Sequence, residues 1–184
     1  SKQLAYKPSH PDWSPDGKSF LTLSRVDDTY RLGLAGRGDE EVRELTGLKA
    51  RSAYGLVGRF SPDGRKVLFT DADPGQKDAF KWHRSSKPHV LDVATGKREP
   101  LAEFPENAQC RGVTWSPDGR RVAYTWVQLH PEVLKKDELT VADANVETEA
   151  FLIVADANGK NQKTVASAKA GNTLRDIYGS IDWR

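Results

Sequence analysis

The chain contains 184 residues, enough to bury the core of one domain. Its 28 lysine and arginine residues nearly balance 26 aspartate and glutamate residues, so the net charge of +2 gives no reason to expect a nucleic acid or an anionic membrane as a partner. No apolar run approaches the roughly 18 residues of a membrane-spanning helix, and the single cysteine excludes an internal disulfide.

A motif of one aromatic residue followed by Ser-Pro-Asp-Gly occurs three times. Its copies span residues 13–17, 60–64 and 115–119, and a basic residue follows each. Proline presets φ for a type I turn, and glycine takes the positive φ that follows, as in a three-residue hairpin connection with a bulge. Each copy is therefore predicted to join the first and second antiparallel strands of a repeated unit.

The segments after each motif predict three further strands. The second strands are apolar at consecutive positions, which favours a sheet buried on both faces, and the fourth strands are polar, as exposed edges require. The predicted second, third and fourth strands are 19–23, 30–35 and 42–46, then 66–70, 89–93 and 98–102, then 121–125, 151–155 and 162–166. Each unit is thus predicted to be a four-stranded antiparallel meander.

The three motifs and their meanders resemble the TolB-type, WD40-like propeller repeat that is often called PD40. The resemblance covers nearly the whole chain and implies an all-β fold of radially arranged blades, a β-propeller. As a single domain over 1–184, the blades are expected at about 9–47, 55–103 and 111–167. The end of the chain, 178–184, aligns with a first strand alone, which we expect to be a closing strand.

Three blades and one strand are expected to make half of a six-bladed ring. The chain is either the C-terminal half of a longer propeller or one of two copies that complete the ring together. An isolated half-ring would leave two apolar blade faces in water, and patches of that size mark interfaces. We therefore expect a homodimer, since two-fold symmetry is the commonest arrangement of identical subunits.

The resemblance leaves the function open, because these repeats occur in TolB, in prolyl-oligopeptidase-like peptidases and in many other bacterial proteins. We expect a non-catalytic scaffold that binds a protein or a small ligand. The alternatives are the propeller domain of a larger hydrolase and a carbohydrate-binding module, the latter if Trp82 and Trp126 are exposed together. The resemblance also implies a periplasmic or other extracytoplasmic location.

The connections between second and third strands vary most in length, and they lie on the face opposite the motif turns. Insertions are predicted at about 72–88 and 127–149, and insertions gathered on one face often mark a binding surface. We expect a partner to contact Trp82, His83 and Arg84 in the second unit and Trp126 and His130 in the third. The structural alternative is that Trp82 folds back onto its blade and that His130 stabilises its own loop.

No catalytic residue, metal site or cofactor is expected. The chain lacks a Gly-x-Ser-x-Gly motif, and although His83 and His89 are six residues apart, no cysteine or carboxylate pair with zinc-ligand spacing accompanies them. The recurring aspartates Asp16, Asp63 and Asp118 are explained by their turns. Cys110 is expected to be a small buried residue, with a reactive thiol as the alternative.

Overall fold

The computed structural model describes residues 12–26, 29–38, 42–45, 57–71, 87–105, 108–129, 147–169, 181 and 183. These residues contain strands and turns only, and no helix able to span a membrane occurs among them. The strands are β1 (Ser19–Val26), β2 (Thr29–Gly36), β3 (Val42–Glu44), β4 (Gly58–Phe60), β5 (Lys66–Asp71), β6 (Lys87–Asp92), β7 (Arg98–Pro100), β8 (Ala108–Trp115), β9 (Arg121–Leu129), β10 (Glu147–Asp156) and β11 (Lys163–Lys169).

The strands form three antiparallel sheets in chain order. Sheet 1 has the order β1-β2-β3, sheet 2 has β4-β5-β6-β7, and sheet 3 has β8-β9-β10-β11. The four-stranded meander is confirmed for the second and third units. In the first unit, the described part of the predicted first strand pairs with β1 through a bridge between Trp13 and Phe20, and the rest of that predicted strand lies outside the described residues.

The third unit departs from its predicted boundaries. β9 continues to Leu129 and β10 begins at Glu147, so the connection between them is 130–146. The closing strand at 178–184 lies mostly outside the described residues, and neither Ile181 nor Trp183 is in a strand. Ile181 packs on sheet 3, where a β-carbon added to Gly112 would lie 3.2 Å from Ile181 Cγ1.

The motif turns have the predicted geometry. The three motif glycines have φ values of 67°, 70° and 69°. In the third copy the Ser116 hydroxyl donates to Asp118 Oδ1 at 2.6 Å and accepts from the Arg121 backbone N–H at 2.9 Å. The other two copies form the same bonds, so each turn is closed by its own serine and aspartate.

The core lies between successive sheets, and the second strands of the second and third units, β5 and β9, are buried on both faces as predicted. One apolar cluster joins sheets 1 and 2 and consists of Leu21, Leu32, Leu45, Phe60, Val67, Phe69 and Leu91. A second joins sheets 2 and 3 and consists of Leu68, Leu101, Cys110, Val113, Trp115, Val122, Tyr124, Ile153 and Ala155. Because neighbours in β5 face opposite clusters, sheet 2 holds the other two sheets together.

Hydrogen bonds to the main chain also cross between sheets. The Phe60 N–H donates to Asp12 Oδ2 at 2.7 Å, and Trp115 Nε1 donates to the Arg59 carbonyl at 3.2 Å. Burial raises the pKa of Asp12, although the Phe60 N–H and the nearby Arg59 charge oppose that effect. These contacts set the register of one sheet against the next.

Candidate functional site

The motif aspartates are occupied within their turns. Two hydrogen bonds lower the pKa of Asp16, Asp63 and Asp118. The larger effect comes from the serine hydroxyl of the same turn, and the smaller one from the backbone N–H two residues after each aspartate. Each carboxylate therefore stays ionised and serves as an acceptor that stabilises its hairpin. This geometry supports the interpretation of all three residues as parts of their turns.

A cavity of about 440 Å³ opens on the face of the motif turns, between sheets 1 and 2. Its lining combines two carboxylates with apolar side chains and consists of Ser14, Pro15, Asp16, Ser19, Leu34, Phe60, Asp63, Gly64 and Val93. Arg43 reaches the same region, since its Nη2 donates to the Val93 carbonyl at 2.7 Å. The sequence pattern did not indicate this cavity, because packing of two separate repeats brings its residues together.

Of the residues predicted to bind a partner, the described part of the chain includes one. Trp82, His83, Arg84 and His130 lie outside the described residues. Trp126 lies inside β9, which continues to Leu129, so the first three residues of the insertion predicted at about 127–149 belong to this strand.

Trp126 packs in an aromatic cluster between sheets 2 and 3. Its ring stacks on Phe151 at a centroid distance of 4.2 Å and meets Phe104 edge-on at 5.9 Å. Phe104 follows β7 on the way to sheet 3 and also contacts Tyr124, with centroids 6.2 Å apart. Trp126 is half-buried, and its stacking fixes β9 to β10 below the 130–146 connection.

The remaining titratable candidates are buried in the sheets. Cys110 is fully buried in the cluster between sheets 2 and 3, and burial raises the pKa of its thiol to about 12, which supports the packing role that the sequence indicated. His89 is also buried, with Nδ1 3.1 Å from the Lys87 carbonyl. Within the described ranges, no three His, Cys, Asp or Glu side chains are grouped so that they could hold a metal ion.

Comparison with known proteins gives structural matches only. Neither a protein-family model nor a curated protein sequence matches the chain. TolB from Acinetobacter baumannii is 20% identical with a TM-score of 0.58, over 85% of this chain and 31% of that one. A putative TolB from Agrobacterium tumefaciens is 20% identical with a TM-score of 0.63, over 90% of this chain and 51% of that one.

Enzymes are also among the similar structures. Oligogalacturonate lyase from Vibrio parahaemolyticus is 15% identical with a TM-score of 0.57, over 84% of this chain and 38% of that one. An acylaminoacyl peptidase from Pyrococcus horikoshii is 14% identical with a TM-score of 0.50, over 90% of this chain and 25% of that one. The chain spans about half or less of the length of each of these proteins.

The likeness to the two TolB structures confirms the resemblance that the Ser-Pro-Asp-Gly repeats indicated. At 20% identity, this structural likeness shows the fold and does not indicate the activity. The chain has the fold of TolB-type β-propeller proteins.

Proposed function

We propose that the chain is a non-catalytic β-propeller scaffold that binds a protein or a small ligand through the face of its long connections. The observation that supports this proposal is the difference in the length of the connections at the two ends of the sheets. At one end, the connection between the second and third strands comprises residues 72–86 in sheet 2 and 130–146 in sheet 3, whereas in sheet 1 it comprises only residues 27–28. At the other end the motif turns are short and closed by their own side chains.

The meander places both long connections on one face. In sheets 2 and 3 the motif turn joins the first and second strands at one end, so the next connection leaves from the opposite end. Surface connections held by a rigid framework are the usual location of binding residues. We assign Trp82, His83, Arg84 and His130 to this surface, with Trp126 supporting the base of the third connection.

A display selection tests this proposal while the natural ligand is unidentified. The immobilised chain is panned against a random-peptide library, and enriched peptides are measured against the Trp82→Ala and Arg84→Ala variants. We expect affinity to fall at least about tenfold in one of them, the loss expected of an interface anchor. Lys97→Ala, on the motif-turn face, is the matched control. His130→Ala is measured in the same way for the third connection, and peptides whose affinity falls in Lys97→Ala but in none of the other three variants would contradict the proposal.

The second candidate is the propeller part of a larger enzyme. It is favoured by the similarity to the lyase and peptidase chains, of which this chain spans 38% and 25%. In that case the natural gene would also encode a catalytic domain, with a Gly-x-Ser-x-Gly segment if it is a peptidase. Hydrolysis of peptide or ester substrates by this chain alone would refute the non-catalytic proposal. The carbohydrate-binding alternative gains no support, because Trp126 is half-buried against Phe151.

We further propose that two copies assemble into a six-bladed ring and act outside the cytoplasm. The ring is supported by Trp13, which is 52% exposed, whereas Phe60 and Trp115 at the same motif position are 8% and 6% exposed. An exposed tryptophan of this extent is typical of an interaction surface. Light scattering on the eluting chain tests the assembly, and a mass of one chain at every concentration would contradict it.

A further inference from the structure

β11 is an exposed edge of sheet 3. It is the outermost strand, and β10 is the one described strand that pairs with it. All of its residues except Ala168 are exposed, and Val165 is 52% exposed. The opposite edge, β8, is buried along nearly its whole length. An exposed edge strand offers main-chain N–H and C=O groups to a further strand.

The register of sheet 3 shows which main-chain groups of β10 face β11. The Ala157 N–H donates to the Arg120 carbonyl at 2.9 Å, one residue pair beyond the end of the β9–β10 register. Because hydrogen bonds alternate along antiparallel strands, the odd-numbered residues of this part of β10 bond to β9 and the even-numbered residues bond to β11. The Asp156 N–H agrees with this assignment, since it donates to the Lys160 carbonyl at 2.9 Å.

The same alternation continues into β11. Leu152 is even-numbered and is paired with Ala166, so Ala166 and Ala168 bond inward to β10. Ser167 lies between these alanines and Lys169 lies after them, so the N–H and C=O groups of both face away from the sheet. No described main-chain group bonds to these outward positions.

Contacts at its start hold β11 in place. The Tyr124 hydroxyl donates to Gln162 Oε1 at 2.8 Å, and the Asn161 side-chain amide donates to Asp156 Oδ2 at 2.6 Å. A β-bulge follows at Val165, where the register with β10 shifts by one residue. The regular stretch after the bulge thus belongs to a fixed strand, which lowers the conformational entropy lost on binding.

The edge of sheet 2 is protected against such pairing. β7 has three residues, whereas β11 has seven. The Leu101 N–H donates to the Pro88 carbonyl at 2.9 Å, so the neighbouring Pro100 holds an outward-facing position and offers no N–H there. The Lys97 ammonium also bonds to the Glu99 carboxylate at 2.7 Å. Short length and proline are usual protections of an edge strand, and β11 has neither.

The charges of the β11 edge favour an acidic partner. The segment 160–169 contains Lys160, Lys163 and Lys169 and no acidic residue. Within the described part of the chain, none of these lysines forms an ion pair. Pairing of two copies through β11 would bring the same lysines together, and like charges on neighbouring strands destabilise their pairing. An acidic strand would instead place opposite charges there.

We infer that the outer edge of β11 binds an extended acidic segment of another protein, which adds a fifth strand to sheet 3. The added strand exchanges main-chain hydrogen bonds with Ser167 and Lys169. Its carboxylates lie near Lys163 and Lys169, and the exposed Val165 side chain offers an apolar contact. This site lies along the side of the sheet, so it requires neither the long connections nor the proposed ring.

Fluorescence anisotropy with the full chain tests this inference. The probe is a labelled peptide of about eight alternating valine and glutamate residues, and the comparison peptide has lysine in place of glutamate. We expect the acidic probe to bind at least about tenfold more tightly. Ser167→Pro should weaken that binding at least about tenfold, because it removes an outward N–H that sheet 3 does not use. Ser167→Ala keeps this N–H and is the matched control.

Methylation of the probe tests strand pairing without changing the chain. Only alternate N–H groups of an added strand face β11. A probe methylated at every nitrogen should lose binding, whereas methylation of the valine nitrogens alone or of the glutamate nitrogens alone should preserve binding in at least one case. This comparison decides the question by itself if Ser167→Pro does not fold.

Strand pairing, charge preference and location are tested separately. Equal binding by folded Ser167→Pro and Ser167→Ala, or undiminished binding of the fully methylated probe, would overturn the strand pairing. Lys163→Gln combined with Lys169→Gln should weaken binding at least about tenfold. Lys97→Gln is the matched control, and equal binding by it and the double variant would overturn the acidic preference. Loss of binding in Trp82→Ala would overturn the location, and an acidic probe that does not bind would overturn the whole inference.

Discussion

Gly159 offers the sharpest test of how sheet 3 packs on sheet 2. It lies in the turn between β10 and β11 with φ of 77°, and a β-carbon added there would overlap the carbonyl oxygen of Leu101. Gly96 is the glycine of the corresponding turn of sheet 2, which is one residue longer, and it has φ of 72° and nothing described within 4 Å. Gly159→Ala and Gly96→Ala therefore both place a β-carbon on a residue with positive φ. Only Gly159→Ala also creates an overlap with the Leu101 main chain.

The two costs can be estimated separately. A left-handed conformation costs a residue with a β-carbon about 1–2 kcal/mol, which is the whole effect expected for Gly96→Ala. Gly159→Ala adds an overpacking cost of about 1–3 kcal/mol. The group in its way is main chain, which cannot rotate aside as a side chain can, so we expect a difference of about 2–3 kcal/mol between the variants. That is a large part of a domain's total stability of about 5–15 kcal/mol.

Urea unfolding followed by tryptophan fluorescence measures this difference. Gly96→Ala should lower the midpoint modestly with an unchanged slope of free energy against urea. Gly159→Ala should lower the midpoint further, and a reduced slope would show that sheet 3 has separated from sheet 2 before unfolding. Equal losses in the two variants would refute the reasoning, because the close approach of Gly159 to Leu101 would then contribute nothing in solution.

Three further predictions concern single side chains. Trp115→Phe should cost about 1–3 kcal/mol in urea unfolding, because a partly buried carbonyl loses its donor, whereas Trp13→Phe should cost less than about 0.5 kcal/mol. Cys110 should resist a thiol reagent at neutral pH until urea unfolds the chain; rapid native labelling would contradict its burial. The motif aspartates have pKa values below the ordinary 3.8, so the stability they contribute is complete above that pH and lost as the pH falls through their lowered values. Replacing all three with asparagine should flatten the acid end of the profile of urea midpoint against pH.

The turns and the strand order could be predicted because their causes are local. Within the third motif, Ser116 and Asp118 bond each other and the next few backbone groups, and the glycine takes its positive φ beside them. No contact from another sheet is needed to define that hairpin. Runs of consecutive apolar residues and the glycine turns between them then placed the following strands, and these predictions held to within a few residues in most of the described strands.

The features that the sequence did not reveal depend on contacts between repeats. Asp12 accepts a hydrogen bond from the Phe60 N–H, 48 residues away, and the cavity on the motif-turn face is lined by residues of the first and second units. The environment of Trp126 likewise depends on Phe104 from the preceding sheet. The pattern of charged or aromatic residues within one unit does not show which residues of the next unit they contact. Placing the predicted binding residues other than Trp126 depends further on the connections, which lie outside the described residues.

The aromatic residue before each motif turn shows which features depend on the local sequence and which depend on the neighbouring sheet. Trp13, Phe60 and Trp115 each precede the same Ser-Pro-Asp-Gly turn, yet their exposed fractions are 52%, 8% and 6%. The local sequence therefore sets the turn, whereas the neighbouring sheet sets how far the aromatic residue is buried. The motif aspartates form the same hydrogen bonds in all three turns, so none of them offers a ligand an arrangement of oxygen atoms that the other two lack. The repeats therefore explain the fold and do not identify a ligand. We propose that specific binding comes from what the units do not share, namely the long connections between the second and third strands of sheets 2 and 3.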